Sequence, residues 1–193
     1  NTVVTYTLVA PATITVPTTT NTTGSFTVSW AATTGVTGAT YVLDVSADGG
    51  ISFSNAYTGP AISASFTGLA NGTYTYRVKA TLAPYADSAY KTSTPVTVLL
   101  TAAAPATITV PASSVTGNFT VSWSASTTTG AAYVLEQSSN GGVTWTAAYT
   151  GTATSANIIG LAAGTYTYRV KATRTGYVDS AWKISGNIVV TIP

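Results

Sequence analysis

Gly72-Thr73-Tyr74-Thr75-Tyr76-Arg77-Val78-Lys79-Ala80-Thr81 recurs unchanged as Gly164 to Thr173, and this identity decides how the rest of the chain is read. The run alternates and is rich in β-branched and aromatic residues, so it reads as a strand. Its surroundings repeat as well. Pro11-Ala12-Thr13-Ile14-Thr15-Val16-Pro17 returns from Pro105 to Pro111, and Phe26-Thr27-Val28-Ser29-Trp30 returns from Phe119 to Trp123. Tyr41-Val42-Leu43-Asp44 becomes Tyr133-Val134-Leu135-Glu136, and Asp87-Ser88-Ala89-Tyr90-Lys91 becomes Asp179-Ser180-Ala181-Trp182-Lys183. The offset falls from 94 to 92 residues. A period of that length is a whole domain and not a solenoid unit.

Within the first copy, short runs between Gly, Asn and Pro signals predict strands near 12–16, 25–31, 40–47, 51–58, 62–67, 73–82 and 89–100. No stretch carries a 3.6-residue period with caps. Seven strands in one copy predict an all-β, seven-stranded antiparallel β-sandwich, repeated in tandem, with a β-barrel as the competing architecture.

A Trp ending the second strand, then Gly-Leu-x-x-Gly-Thr-x-x-Tyr-Arg-Val, resembles the fibronectin type III family. The matching residues are Trp30, Gly68-Leu69 and Gly72 to Val78 in the first copy, and Trp123, Gly160-Leu161 and Gly164 to Val170 in the second. The resemblance covers residues 10–193. It implies that Trp30 and Trp123 are core residues, and that Tyr74 and Tyr166 hold the tyrosine-corner position. The turn before each Tyr is one residue shorter than the usual family pattern. The domains are expected at 10–101 and 102–193.

Composition narrows the function. Of 193 residues, 45% are apolar, which is enough for real cores. Only 6% are charged, against about 25% in an ordinary domain. A net charge of +2 gives no basic cluster for nucleic acid. No apolar run is long enough to span a bilayer. The 41 Thr suit strand faces, and there is no Cys, Met or His. Thiolate sites, disulfides and the commonest bases and soft metal ligands are thus excluded. The lack of Met implies a processed chain or a fragment. No cofactor and no metal site is expected.

What remains for catalysis is a carboxylate pair of the glycosidase kind. Asp44 and Glu136 fall on the third strand, Asp87 and Asp179 before the last, and Lys79 and Lys171 between them on the sixth. These read better as a cross-strand charge ladder, because charges that serve a sandwich recur with it. Asp48 and Arg174 lack like-charged counterparts, facing Asn140 and Leu82. They are better candidates for specialisation than the rest, and a surface position explains either just as well.

Ser46-x-Asp48-x-Gly50-x-x-Phe53, echoed from Ser138 to Trp145, resembles the Asp-box hairpin of sialidases and related β-proteins. It reads as a turn in which a short polar side chain bonds backbone. A single carboxylate is too few for Ca²⁺. The aromatics Trp145, Tyr149, Tyr177 and Trp182, matching Phe53, Tyr57, Tyr85 and Tyr90, are candidates for stacking on a polysaccharide. The favoured reading is that they cover sandwich edges or pack between domains. Asn-x-Ser/Thr sequons begin at Asn21, Asn71 and Asn118, and the Thr-rich runs 18–23 and 127–129 are compatible with O-glycosylation.

Residues 1–9 resemble the last strand of each copy and place Val4, Tyr6 and Leu8 on one face. They are expected to form an extra strand, either donated to another chain or left from a preceding domain. The functional expectation is a non-catalytic extracellular or cell-surface module, part of a self-associating filament or stalk. The alternative is a carbohydrate-binding or spacer module of a secreted polysaccharide-degrading protein.

Overall fold

The computed structural model describes residues 6–192. Every regular element in them is a β-strand, and the chain divides into two units after Leu100. In the first unit the strands are β1 (Ile14–Thr15), β2 (Phe26–Trp30), β3 (Thr40–Ser46), β4 (Ser54–Gly59), β5 (Ser63–Phe66), β6 (Gly72–Thr81), β7 (Lys91–Thr92) and β8 (Val96–Val98). One sheet has the order β1-β2-β5 and the other β4-β3-β6-β7, with β8 also paired to β6. The second unit contains β9 (Ile108–Thr109), β10 (Ser113–Ser114), β11 (Phe119–Trp123), β12 (Ala132–Ser138), β13 (Thr146–Gly151), β14 (Ser155–Ile158), β15 (Gly164–Thr173) and β16 (Lys183–Val190). Its sheets are β14-β11-β9 and β10-β16-β15-β12-β13. Two sandwiches result, as the repeat predicts.

The decapeptide is the central strand of the larger sheet in each unit. Alternation sends Tyr76, Val78 and Ala80 into the first core, and Tyr168, Val170 and Ala172 into the second, all fully buried. Arg77, Lys79, Arg169 and Lys171 project from the opposite face. Each buried Val or Leu contributes roughly 1.5–3 kcal/mol by leaving water. Trp30 and Trp123 are 3% and 5% exposed, and each indole packs against two tyrosines at 5.8–5.9 Å, Tyr41 and Tyr57 or Tyr133 and Tyr149.

Tyr74 donates its hydroxyl to the Ala70 carbonyl at 3.0 Å, and Tyr166 to Ala162 at 3.1 Å. The shortened turn therefore closes. Opposite it, Gly24 and Gly117 adopt positive φ and accept the Leu69 and Leu161 amides. A Cβ at either glycine would meet the same leucine's carbonyl oxygen, so only glycine permits this approach.

The predicted last strand, 89–100, is interrupted in the first unit between β7 and β8, whereas β16 is continuous. Pro95 lacks an amide to donate, while its counterpart Asn187 pairs with Thr167 and accepts that residue's hydroxyl at 2.6 Å.

The N-terminal segment requires a correction. Leu8 is 5% exposed and lies in the first unit's own core. Its amide donates to Ala86 at 3.0 Å, the Ala86 amide donates to Tyr6 at 2.8 Å, and Thr7 bridges Ala86 in parallel. Thr33 Oγ1 donates to the Val9 carbonyl at 2.5 Å. The second unit repeats this with Thr101 on Val178, Ala102 buried, and Ser126 Oγ donating to Ala103 at 2.6 Å. Residues 6–9 are thus the lead-in of the first sandwich and not an extra strand. The reason is physical: an apolar Leu fills a groove left open at the end of its own core. Tyr6 points away, 71% exposed, and Val4 lies outside the described residues.

Candidate functional site

The outer face of the larger sheet carries most of the chain's charge. Asp44 and Arg77 are register partners on β3 and β6, and Arg77 Nε donates to Asp44 at 3.1 Å. The guanidinium also lies between two rings, 4.0 Å from the Phe53 centroid and 4.1 Å from that of Tyr90. One strand position along the same face, Lys79 pairs with Asp87 at 2.7 Å, and that hydrogen bond holds the amine above its ordinary pKa. Burial, then hydrogen bonding to Asp44, pushes the Tyr90 phenol up.

The second unit rebuilds the stack with larger rings. Arg169 pairs with Glu136 at 2.6 Å and lies 4.4 Å from Trp145 and 4.3 Å from Trp182, while Lys171 pairs with Asp179 at 2.7 Å. Arg is suited to this place because its planar cation stacks on two faces while its edge bonds a carboxylate. The ladder expected from the sequence exists in part. Lys79 and Lys171 take the loop carboxylates, and the strand carboxylates go to Arg77 and Arg169, which the sequence reading passed over. Their signal was their outward place in the invariant decapeptide.

At the β3–β4 hairpin, Ser46 Oγ donates to Asp48 and receives the Gly50 amide at 2.8 Å. Asp48 also accepts the Ile51 and Ser52 amides and the Ser52 hydroxyl. These bonds, led by those from the Ser46 and Ser52 hydroxyls, hold its pKa far below the carboxylate range. In the second hairpin Asn140 bonds Ser138, the Thr144 amide and the Thr144 hydroxyl in the same pattern. Asp48 is therefore a turn anchor. Among the described residues there is no group of three or more His, Cys, Asp or Glu that could hold a metal, and no helix long and apolar enough to cross a membrane.

Over both units, the chain resembles a two-domain fibronectin type III segment of chicken tenascin, at 18% identity and a TM-score of 0.61, covering 93% of this chain and 99% of that one. It also resembles the chicken interferon gamma receptor alpha chain, at 12% identity and a TM-score of 0.56, with 95% and 98% covered. The fold is that of tandem fibronectin type III modules. No protein-family model matches the chain, and no curated protein does so in sequence.

On these fibronectin type III-like frames the candidate stacking aromatics are not brought together as one platform. Tyr149 packs on Trp123, and its hydroxyl accepts the Ala153 amide at 2.9 Å, so it belongs to the core edge. Trp145 and Trp182 are half-buried and give a face each to Arg169. Tyr177 lies under Arg174 at 4.5 Å. Of the two readings of these rings, covering of the sandwich's own surface is the one these contacts favour, since an arginine is stacked between Trp145 and Trp182. Two of the sequon asparagines accept backbone amides across loops, Asn71 from Leu100 and Asn118 from Gly160, while Asn21 accepts the Gly24 amide within its own turn.

Proposed function

We propose that this chain is a pair of non-catalytic, extracellular structural modules that self-associate end to end as a segment of a surface filament or stalk. The carrying observation is that both copies pair their carboxylates with the same arginine and lysine positions of the central strand. Four of the five acidic side chains are ion-paired with Arg or Lys, and Asp48 is saturated by its turn. An acid–base mechanism would need carboxylates free to exchange protons with a substrate.

Self-association is supported by a surface of very low charge that also exposes large apolar side chains. Ile51 and Val143, at equivalent hairpin tips, are 88% and 80% exposed. With Leu8 seated at home, the contact would be packing of module surfaces and not strand donation. The likeness to extracellular fibronectin type III modules supports the location. Sedimentation across a wide concentration range, with electron microscopy of the concentrated sample, tests the reading. Concentration-dependent linear oligomers are expected, and a monomer at every concentration would remove the filament from it. Turnover of a glycan panel that Asp87→Asn or Asp179→Asn abolishes would remove its non-catalytic part.

A further inference from the structure

The second unit carries an arginine where the first has a leucine, beside an open pocket. A cavity of about 350 Å³ opens between the start of β12 and the end of β15, lined by Gly130, Ala132, Thr173, Arg174, Thr175 and Asp179. In the first unit the matching positions are Gly38, Thr40, Thr81, Leu82, Ala83 and Asp87. The exchange of Leu82 for Arg174 is the one that alters chemistry most, since Leu82 packs against the first unit's core. Arg174 instead is half-buried, with its guanidinium 4.5 Å above the Tyr177 ring and Nη1 donating to the Tyr177 hydroxyl at 3.2 Å.

No carboxylate side chain of the described residues forms an ion pair with Arg174. Asp44, Asp87, Glu136 and Asp179 are taken by Arg77, Lys79, Arg169 and Lys171, and Asp48 by its hairpin. The guanidinium is held in place by the ring and the phenol, and its remaining donors form the flat fork that matches a carboxylate. Lining the same pocket are Thr173, whose hydroxyl donates to the Ala132 carbonyl at 3.5 Å and keeps its lone pairs for a donor, Thr175, and a glycine at φ +74° with open space where a side chain would be. Asp179, neutralised by Lys171, offers an acceptor suited to a ligand hydroxyl.

We propose that this cavity binds an acidic saccharide, with Arg174 taking the carboxylate of a uronic acid residue and Thr173, Thr175 and Asp179 meeting its hydroxyls. The saccharide is favoured over an acidic peptide because the walls carry hydroxyls and a carboxylate, and none of the lining residues is a large apolar side chain that would seat a peptide's own. The site goes beyond the structural reading and does not depend on self-association.

The test is amide NMR of the full chain titrated with glucuronate and with short polygalacturonate, alongside glucose and a Glu-containing peptide. Saturable shifts at Gly130, Thr173 and Thr175 with the uronates are expected, weakening as salt is raised. Arg174→Leu installs the residue that the first unit carries and so suits the sandwich. It should weaken uronate binding tenfold or more, with the amides of both cores unmoved. Arg174→Lys should retain part of the affinity, because it keeps the charge and loses the fork. Absence of shifts, equal binding of glucose, tighter binding of the peptide, or full affinity in Arg174→Leu would each overturn the assignment.

Discussion

Tyr168 donates its buried hydroxyl to Gln137 Oε1 at 3.2 Å, whereas in the first unit the equivalent Tyr76 faces Val45 and its hydroxyl has no partner. Both rings are fully buried, and burial raises both phenols well above their ordinary pKa of 10.0. An orphaned buried hydroxyl carries its desolvation cost uncompensated. Val45→Gln should therefore stabilise the first unit by about 1 kcal/mol, and Gln137→Val should cost the second about 1–3 kcal/mol. Hydrogen exchange at the Val78 and Val170 amides reads each unit separately.

Because the folded phenols are raised, their contribution is intact below the ordinary value of 10.0 and is lost as pH rises past it. Alkaline unfolding should begin above that value. Tyr76→Phe should delay it in the first unit, with almost no loss at neutral pH because no hydrogen bond is removed. Circular dichroism during a base titration measures the midpoint.

Asp48 gives the opposite limb. A depressed carboxylate stabilises the fold above its ordinary value of 3.8 and loses that contribution as pH falls through the folded value. Acid should therefore loosen the β3–β4 hairpin before the β12–β13 hairpin, where Asn140 does not titrate. Asp48→Asn should make the two hairpins alike in acid, read from hydrogen exchange at the Gly50 and Gly142 amides.

Arg77 and Arg169 test the stacked ladder. Arg169→Lys keeps a charge for Glu136 but loses the planar stack between Trp145 and Trp182, and should cost about 1 kcal/mol. Arg77→Lys should cost somewhat less, since Phe53 and Tyr90 are weaker partners than indole. Equal unfolding midpoints for wild type and both variants would show that the stack is only geometric.

The frame of each sandwich was legible because its signals are local. Alternation in β6 and β15 and the turn glycines lie within a few residues of what they specify, and the repeat 92 residues on states the same signals twice. The ladder was half legible. Asp44 and Arg77 meet only through the β3–β6 register, 33 residues apart, so the sequence named the strands that carry charge but not which charges pair. Nor does the sequence show that Trp182 stacks on Arg169, since one lies in the loop before β16 and the other on β15. Residues 6–9 were read as part of a separate strand because the segment resembles a closing strand in composition. Its true counterpart is the Thr101-Ala102-Ala103 lead-in, where a small Ala stands in place of Leu8.

That substitution supplies the last prediction. Leu8 fills the first core from its own chain, at 5% exposure, and its amide and carbonyl-side neighbours are fixed by Ala86 and Thr33. Leu8→Ala removes a buried isobutyl group and leaves a cavity, so the first unit should lose about 2–5 kcal/mol. The second unit, whose groove is already built around Ala102, should be unaffected. Ala102→Leu should harm that unit instead, because the added methylenes overpack a closed site, at about 1–3 kcal/mol. Strand donation to a neighbour makes a different forecast: Leu8→Ala would leave the monomer's stability unchanged and weaken only association. Thermal unfolding and sedimentation of the same variant separate the two. A lowered first transition with unchanged association places Leu8 in its own sandwich, and the reverse pattern would return it to another chain.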